Sequence, residues 1–261
     1  MKILFDVMGA QIQIQQQPPN NRLTTWFGSL ADLGYDYAIS SFTPLAPQLA
    51  GVDVWVSLTR QQTNAGSIPP GTCFGYSPQD LGALQTFVNG GGSILMFSNH
   101  SWPLGQGPVW PINEIQLAAA LGIQLVFAEF APGGKPVPTG CTSPKPSSLA
   151  TLTMSPNLDA PPELIDGVST VEAWDSGGIV PGNGTVIIPL PGDCSDQSGL
   201  GYLPGDCAFA VLYTFGSGKV IVAGHSGIVG NYGTCSPSPG QIESADNLTF
   251  LNNCITYLGG G

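Results

Sequence analysis

The sequence predicts an α/β fold in which an open, mostly parallel sheet is the middle layer of a three-layer sandwich. Three observations predict it. Short apolar runs alternate with segments whose apolar residues recur at helical spacing. Several runs, such as SILMF, are apolar at almost every position, as in strands buried on both faces of a parallel sheet. Three further β-like runs, at 168–174, 184–190 and 207–215, follow without helices between them, so we expect antiparallel strands to extend the sheet in the C-terminal half.

The N-terminal elements follow the strand–helix–strand order of such a fold. KILFDV ends in Asp6 and is typical of a strand, and RLTTWFGSLADLG places its large apolar residues on one helical face before Gly34 ends the helix. Strands are predicted at 2–7, 35–40 and 52–58, and the helix at 22–34.

The next helix has the clearest signals in the chain. Ser77 is a predicted N-cap, Pro78 occupies the first helical position, and Gly90 to Gly92 end the helix. SILMFS then forms a strand, and INEIQLAAALG with IQLVFAE repeats the helix and strand. A Pro/Gly-rich excursion covers about 130–165, KVIVAG is the last core strand, and DNLTFLNNCITYL is the closing helix.

Composition limits the class of protein. Only 9% of residues are charged, and the formal net charge of −11 includes just six Lys and Arg residues. Nucleic acid and anionic lipid both require basic patches, so neither is an expected partner. No apolar stretch reaches the roughly 18 residues of a membrane-spanning helix. We expect one soluble domain over 1–261, because no linker divides the chain.

The six cysteines favour an oxidising compartment. Five lie in Gly/Pro-rich loop sequence without metal-binding spacing, which indicates a secreted protein with disulfides. Cys194 and Cys207 flank one loop and are the first choice for a bridge. MKILFDV has no signal-peptide h-region. We therefore expect an extracellular or periplasmic mature domain.

Polar side chains stand where four predicted strands end. They are Asp6, Arg60, the Ser98-Asn99-His100 triplet, and His225-Ser226. Ligands of open α/β sheets bind at the carboxyl ends of the strands, so we expect the site there. Arg60 could hold an anionic group or form an ion pair with Asp6.

Four motifs, in order, carry a family resemblance. ILFDVMGAQ, YSPQDLGALQTFVNGGGSILMFSNH, GSGKVIVAGHSGIVGN and DNLTFLNNCITYL resemble the class I glutamine amidotransferase-like superfamily. The resemblance is to its divergent branch, which includes trehalose-utilisation-type proteins and domains of intraflagellar-transport and gliding-motility proteins. It implies a flavodoxin-like sheet.

The residues depart from the superfamily's catalytic pattern. The resemblance implies a nucleophilic Cys at the turn that here reads Phe97-Ser98-Asn99, and a Glu two residues after His225, where Gly227 stands. Glutamine hydrolysis by a thiolate is therefore not expected. The chain would instead bind a small polar ligand or glycan without turnover.

Two enzymatic alternatives stay open. In the first, Ser98 is the nucleophile, His225 the base, and Asp6 or Asp175 the orienting acid of a hydrolase. AGHSGIVG is a poorer candidate for a nucleophile elbow, because no His follows Ser226. In the second, a divalent transition metal binds Asp6, His100 and His225. No cofactor is otherwise expected.

The remaining ligand-binding candidates surround the same edge. Aromatic rings in the loops could stack on a sugar or pin the loops as small satellite cores. Each histidine could also simply bond backbone at a strand end. The full set of ligand-binding candidates is Gln11, Arg60, Asn99, His100, Trp102, Ser226 and Asn231, with Trp110, Tyr202 and Tyr232 as further aromatic residues.

Overall fold

The structure is a computed structural model that describes residues 1–6, 23–40, 44–58, 60, 75–99, 112–132, 151–230 and 241–260. It confirms the predicted α/β fold, with a mixed ten-stranded sheet flanked by helices and a separate two-stranded sheet. The helices of these residues include none that is long and apolar enough to cross a membrane.

The elements of the N-terminal half match the predicted order, with one short additional helix, α2. They are β1 (Lys2–Asp6), α1 (Thr24–Asp32), β2 (Asp36–Ile39), α2 (Leu45–Gln48), β3 (Val54–Ser57), α3 (Pro78–Asn89), β4 (Ser93–Phe97), α4 (Ile112–Ala120) and β5 (Gln124–Pro132).

The C-terminal half is richer in strands. It contains β6 (Leu152–Met154), α5 (Pro162–Ile165), β7 (Val171–Ala173), β8 (Ser176–Val180), β9 (Thr185–Pro189), β10 (Cys194–Asp196), β11 (Ala208–Phe215), β12 (Gly218–Ala223) and α6 (Asn247–Gly259). Short 3-10 helices among the described residues lie at Pro204–Asp206, Ser226–Val229 and Gln241–Glu243.

The sheet has a parallel half and an antiparallel half. Its order is β10-β5-β8-β11-β12-β4-β3-β1-β2, with β9 also paired to β11. The neighbours from β12 to β2 are parallel, and those from β10 to β12 are antiparallel. β5, expected to continue the helix–strand pattern, pairs antiparallel with β8 and β10, because β12 fills the position next to β4.

The predicted residues at the two ends of α3 are confirmed. Ser77 Oγ accepts the Asp80 N–H at 3.1 Å, Pro78 opens α3, and Gly90 caps its end. Gly91 follows with φ +102°, a left-handed conformation that favours glycine. The chain can therefore turn at once into β4.

Side chains that alternate along the parallel strands pack into two hydrophobic cores, one on each face of the sheet. Phe5 belongs to the core under α1 and α6, where its ring meets that of Trp26 edge-on at 5.2 Å. Leu4 belongs to the core under α2, α3 and α4, with Leu84. Because both faces are covered, the strand ends are where polar chemistry can sit.

Candidate functional site

Three chain segments meet at the carboxyl ends of β4 and β12. The Ser98 N–H donates to the Ala223 carbonyl at 2.8 Å, and the Gly177 N–H donates to the Gly224 carbonyl at 2.8 Å. These bonds place the residue after β4, the residue after β12 and the first residues of β8 side by side. Asp175, which directly precedes β8, reaches the same edge as His225.

Glycine permits this approach. A Cβ on Gly177 would lie 2.4 Å from the Asn99 carbonyl oxygen, and a Cβ on Gly224 would lie 2.2 Å from Ser176 Oγ. Neither position has room for a side chain. The backbone of the site thus depends on these two residues.

Both ring nitrogens of His225 are engaged. Nδ1 accepts the Gly227 N–H at 2.9 Å, which caps the 3-10 helix Ser226–Val229. Nε2 lies 2.9 Å from Asp175 Oδ1, and both side chains are buried. Because Nδ1 is an acceptor here, the ring proton of the neutral imidazole belongs on Nε2, facing Asp175.

This arrangement restricts proton transfer. In a Ser–His–acid site, one imidazole nitrogen donates to the acid and the other accepts the serine proton. Asp175 supplies the acid contact, but the Gly227 N–H occupies the nitrogen that Ser98 would need. Ser98 itself is 2% exposed. Next to it, Asn99 Nδ2 donates to Ser226 Oγ at 3.3 Å.

Asp6 belongs to a different cluster. Its Oδ2 accepts from Arg60 Nη2 at 2.6 Å and from Arg60 Nε at 2.9 Å, and Ser40 Oγ donates to its Oδ1 at 3.2 Å. Of the alternatives for Arg60, the structure shows the ion pair with Asp6. β1 is three strand positions from β12, or about 14 Å at normal strand spacing. The acid beside His225 is therefore Asp175, and Asp6 does not orient that ring.

An aromatic face completes the surroundings of Arg60. Its guanidinium carbon lies 3.8 Å from the centre of the Tyr76 ring, and the Tyr76 hydroxyl is 2.8 Å from Ser57 Oγ. Burial raises the pKa of Tyr76, so the phenol is neutral. The cation–π contact helps to hold a fully buried guanidinium in place.

Glu114 is a buried residue of this cluster that the sequence did not single out. Its Oε1 accepts the Arg60 N–H at 2.7 Å, and Asn113 Nδ2 donates to the Arg60 carbonyl at 3.1 Å. Two residues in the first turn of α4 thus form hydrogen bonds with the backbone N–H and the backbone carbonyl of Arg60. Burial raises the pKa of Glu114 to about 8. Its sequence context, INEIQLAAA, indicates only an amphipathic helix, so no signal marked it.

Several predicted residues lie outside the described part of the chain: Gln11, His100, Trp102, Trp110, Asn231 and Tyr232. The described ranges contain no group of three His, Cys, Asp or Glu side chains able to hold a metal. Tyr202 is half-buried against the core, and its N–H donates to Asp196 Oδ2 at 3.2 Å, as expected of a residue that pins a loop.

The predicted Cys194–Cys207 bridge is not formed. Both residues are buried free thiols. Burial raises the pKa of each thiol to about 11, and the neighbouring Cys207 adds to the effect on Cys194. Cys254 is also a free thiol, buried on α6.

Comparison with known proteins relates the chain to solved structures only. No family model matches it, and no curated protein sequence does. The mmIFT52 N-terminal domain superimposes with a TM-score of 0.65 at 12% identity, covering 99% of this chain and 98% of that one. A ThuA-like protein from Bacteroides uniformis gives 0.52 at 13%, covering 98% and 90%.

A β-galactosidase from Bacillus circulans gives a TM-score of 0.53 at 11% identity, covering 99% of this chain and 31% of the enzyme. The fold therefore occurs both as nearly the whole of a solved chain and as a part of a larger enzyme. These similarities show that the chain has the fold of the intraflagellar-transport and trehalose-utilisation-type domains that its motifs resemble.

Proposed function

We propose that the chain is a divergent amidotransferase-like domain that binds a small polar ligand or a glycan at the carboxyl ends of its strands and has no glutaminase activity. The observation that carries this proposal is the engagement of both His225 ring nitrogens, by Gly227 and Asp175. A catalytic base needs a nitrogen that can take a proton from the nucleophile.

The side chains at this edge suit recognition better than turnover. Serine stands where a catalytic thiol would, and Gly227 stands where a glutamate would follow the histidine. Asn99 and Ser226 are linked by a hydrogen bond and supply amide and hydroxyl groups. Such groups bind sugars and other polar ligands by exchange of hydrogen bonds with water. The similarity to part of a β-galactosidase favours a carbohydrate over other polar ligands.

Binding to neutral sugars tests the proposal. D-glucose, D-galactose and N-acetyl-D-glucosamine would be titrated into the protein and into the variant His225→Ala, with ammonia release from L-glutamine measured in parallel. We expect a sugar to bind the protein, His225→Ala to change its affinity, and ammonia not to rise above the level without protein. Ammonia release that scales with protein concentration would overturn the proposal.

A serine hydrolase is the second candidate, favoured by the 2.9 Å contact between His225 and Asp175. It requires His225 Nδ1 to exchange the Gly227 N–H for the Ser98 hydroxyl. Covalent labelling of Ser98 by a serine-reactive phosphonate would support it. A divalent metal at Asp6, His100 and His225 would have to displace Arg60 from Asp6 and bring together residues at the ends of strands about 14 Å apart. Elemental analysis of protein purified without a polyhistidine tag tests that alternative.

An extracellular or periplasmic location is also part of the proposal. It predicts that Cys194 and Cys207, free thiols in the structure, become linked in an oxidising compartment. Peptide mapping without reduction, on protein recovered from the periplasm or culture medium, would show the Cys194–Cys207 peptide. Thiol alkylation of both residues in that sample would contradict the location.

A further inference from the structure

Among the described residues, Glu114 carries a buried oxygen without a hydrogen-bond partner. Glu114 is completely buried, and its Oε1 accepts the Arg60 N–H, but its Oε2 forms no hydrogen bond. Buried polar atoms are almost always satisfied, because leaving one unpaired is costly. An orphan oxygen at the edge of a sheet where ligands bind therefore requires an explanation.

The surrounding charges determine the state of this carboxyl group. The Arg60 guanidinium donates to Asp6 Oδ2 through Nε and Nη2, and its face lies on the Tyr76 ring. The hydrogen bond of Glu114 is to the Arg60 backbone N–H, and the charge of Arg60 stabilises the ionised form. Burial outweighs both effects and favours the neutral acid, with a pKa of about 8. Since Oε1 is an acceptor, the proton belongs on Oε2.

We infer that Glu114 donates a hydrogen bond from Oε2 to a carbonyl or hydroxyl oxygen of an uncharged ligand bound at the carboxyl ends of β1 and β3. The inference rests on the proposed function, and it names the group that recognises the ligand and its chemistry. It adds the Asp6–Arg60 cluster as a second recognition point beside the one proposed at His225.

Charge selects the class of ligand. Asp6 and Arg60 neutralise each other, and a protonated Glu114 adds no charge, so the cluster supplies neither an anion nor a cation with a free counter-charge. The net charge of −11 further disfavours an anion. A neutral sugar or amide needs no counter-charge and supplies the acceptor that Oε2 lacks.

Binding assays on three variants test the inference. Glu114→Gln keeps a donor at the same place, Glu114→Leu removes it, and Glu163→Gln alters an exposed glutamate of α5 as a matched control. The probes are D-glucose, D-galactose and N-acetyl-D-glucosamine, with acetate and methylammonium as charged comparisons. Circular dichroism would check the fold of each variant.

We expect at least one sugar to bind the protein, Glu163→Gln and Glu114→Gln alike, and to bind Glu114→Leu about tenfold more weakly, as for loss of one buried hydrogen bond. Equal binding by Glu114→Leu would overturn the inference, and the proposed function would survive if His225→Ala weakened the same sugar. Absence of binding by any sugar would overturn both. Preferential binding of acetate or methylammonium would overturn the inference alone.

Infrared difference spectra keep the test valid if Glu114→Leu does not fold. The protein minus Glu114→Gln spectrum at neutral pH should show the carbonyl stretch of a protonated carboxylic acid. The sugar that binds should shift this band to lower frequency, since the acid becomes a hydrogen-bond donor. A spectrum without the band, or a band that the bound sugar leaves in place, would overturn the inference.

Discussion

Replacing Glu114 by glutamine should remove a large part of the pH dependence of stability. The carboxyl group has an ordinary pKa of 4.5 and a folded-state pKa of about 8, raised by burial. Between these values the folded state keeps a proton that the unfolded state has lost, so stability falls as pH rises through the window. Integrated from about pH 5 to about pH 9, the two values correspond to a loss of roughly 4 kcal/mol.

Glutamine at position 114 cannot ionise but keeps both hydrogen-bonding functions. Its oxygen accepts the Arg60 N–H, and its NH₂ replaces the Oε2 proton. Glu114→Gln should therefore be within about 1 kcal/mol of the natural protein near pH 5 and roughly 4 kcal/mol more stable near pH 9.

Urea denaturation at several pH values measures both numbers. The fluorescence of Trp26 and Trp55, both buried, reports unfolding. Glu163→Gln, on an exposed residue, should follow the natural protein at every pH. If the natural protein and Glu114→Gln lost stability in parallel between pH 5 and pH 9, Glu114 would not be a neutral buried acid.

Three further substitutions test the backbone and the packing. Ala245→Gly should stabilise the protein by about 0.5–1 kcal/mol, because Ala245 is exposed and has φ +46°, a left-handed conformation that favours glycine. Unchanged or lower stability in urea denaturation would show that the substitution relieves no backbone strain. Gly177→Ala should destabilise by about 1–3 kcal/mol through its clash with the Asn99 carbonyl, whereas Gly192→Ala, with no atom within 4 Å of its Cβ, should show no comparable loss. Asn247→Ala should lower the free energy of unfolding by about 2–4 kcal/mol, because it removes three side-chain hydrogen bonds to the backbone of Glu172 and Gln241. It should also speed hydrogen exchange of the Glu172 amide, and unchanged protection of that amide would contradict the role of Asn247.

The sequence predicted the architecture where its signals are local. The cap at Ser77, the glycines after α3 and the apolar run of β4 act within a few residues of each other, and all three are confirmed. The partners of β5 were not predictable in this way. Its side chains fit a buried strand beside either parallel or antiparallel neighbours, and the place next to β4 is taken by a strand almost 100 residues later.

The site was predictable in location and less so in its contacts. Strand ends identified His225 and Arg60, and the Arg60–Asp6 ion pair was one of the stated alternatives. Asp175 was named as an alternative orienting acid, and the structure places it at His225. Glu114 was missed, because its hydrogen bond with the Arg60 backbone joins two residues that lie far apart in the sequence. No spacing along the chain encodes that approach.

The most direct measurement is intact-mass analysis of the folded protein after incubation with a panel of serine-reactive fluorophosphonates, with Ser98→Ala alongside. His225 cannot serve Ser98 as a base while the Gly227 N–H occupies Nδ1. We therefore expect no adduct on Ser98 with any probe. A stoichiometric adduct that disappears in Ser98→Ala would contradict this role of His225 and make the chain a serine hydrolase.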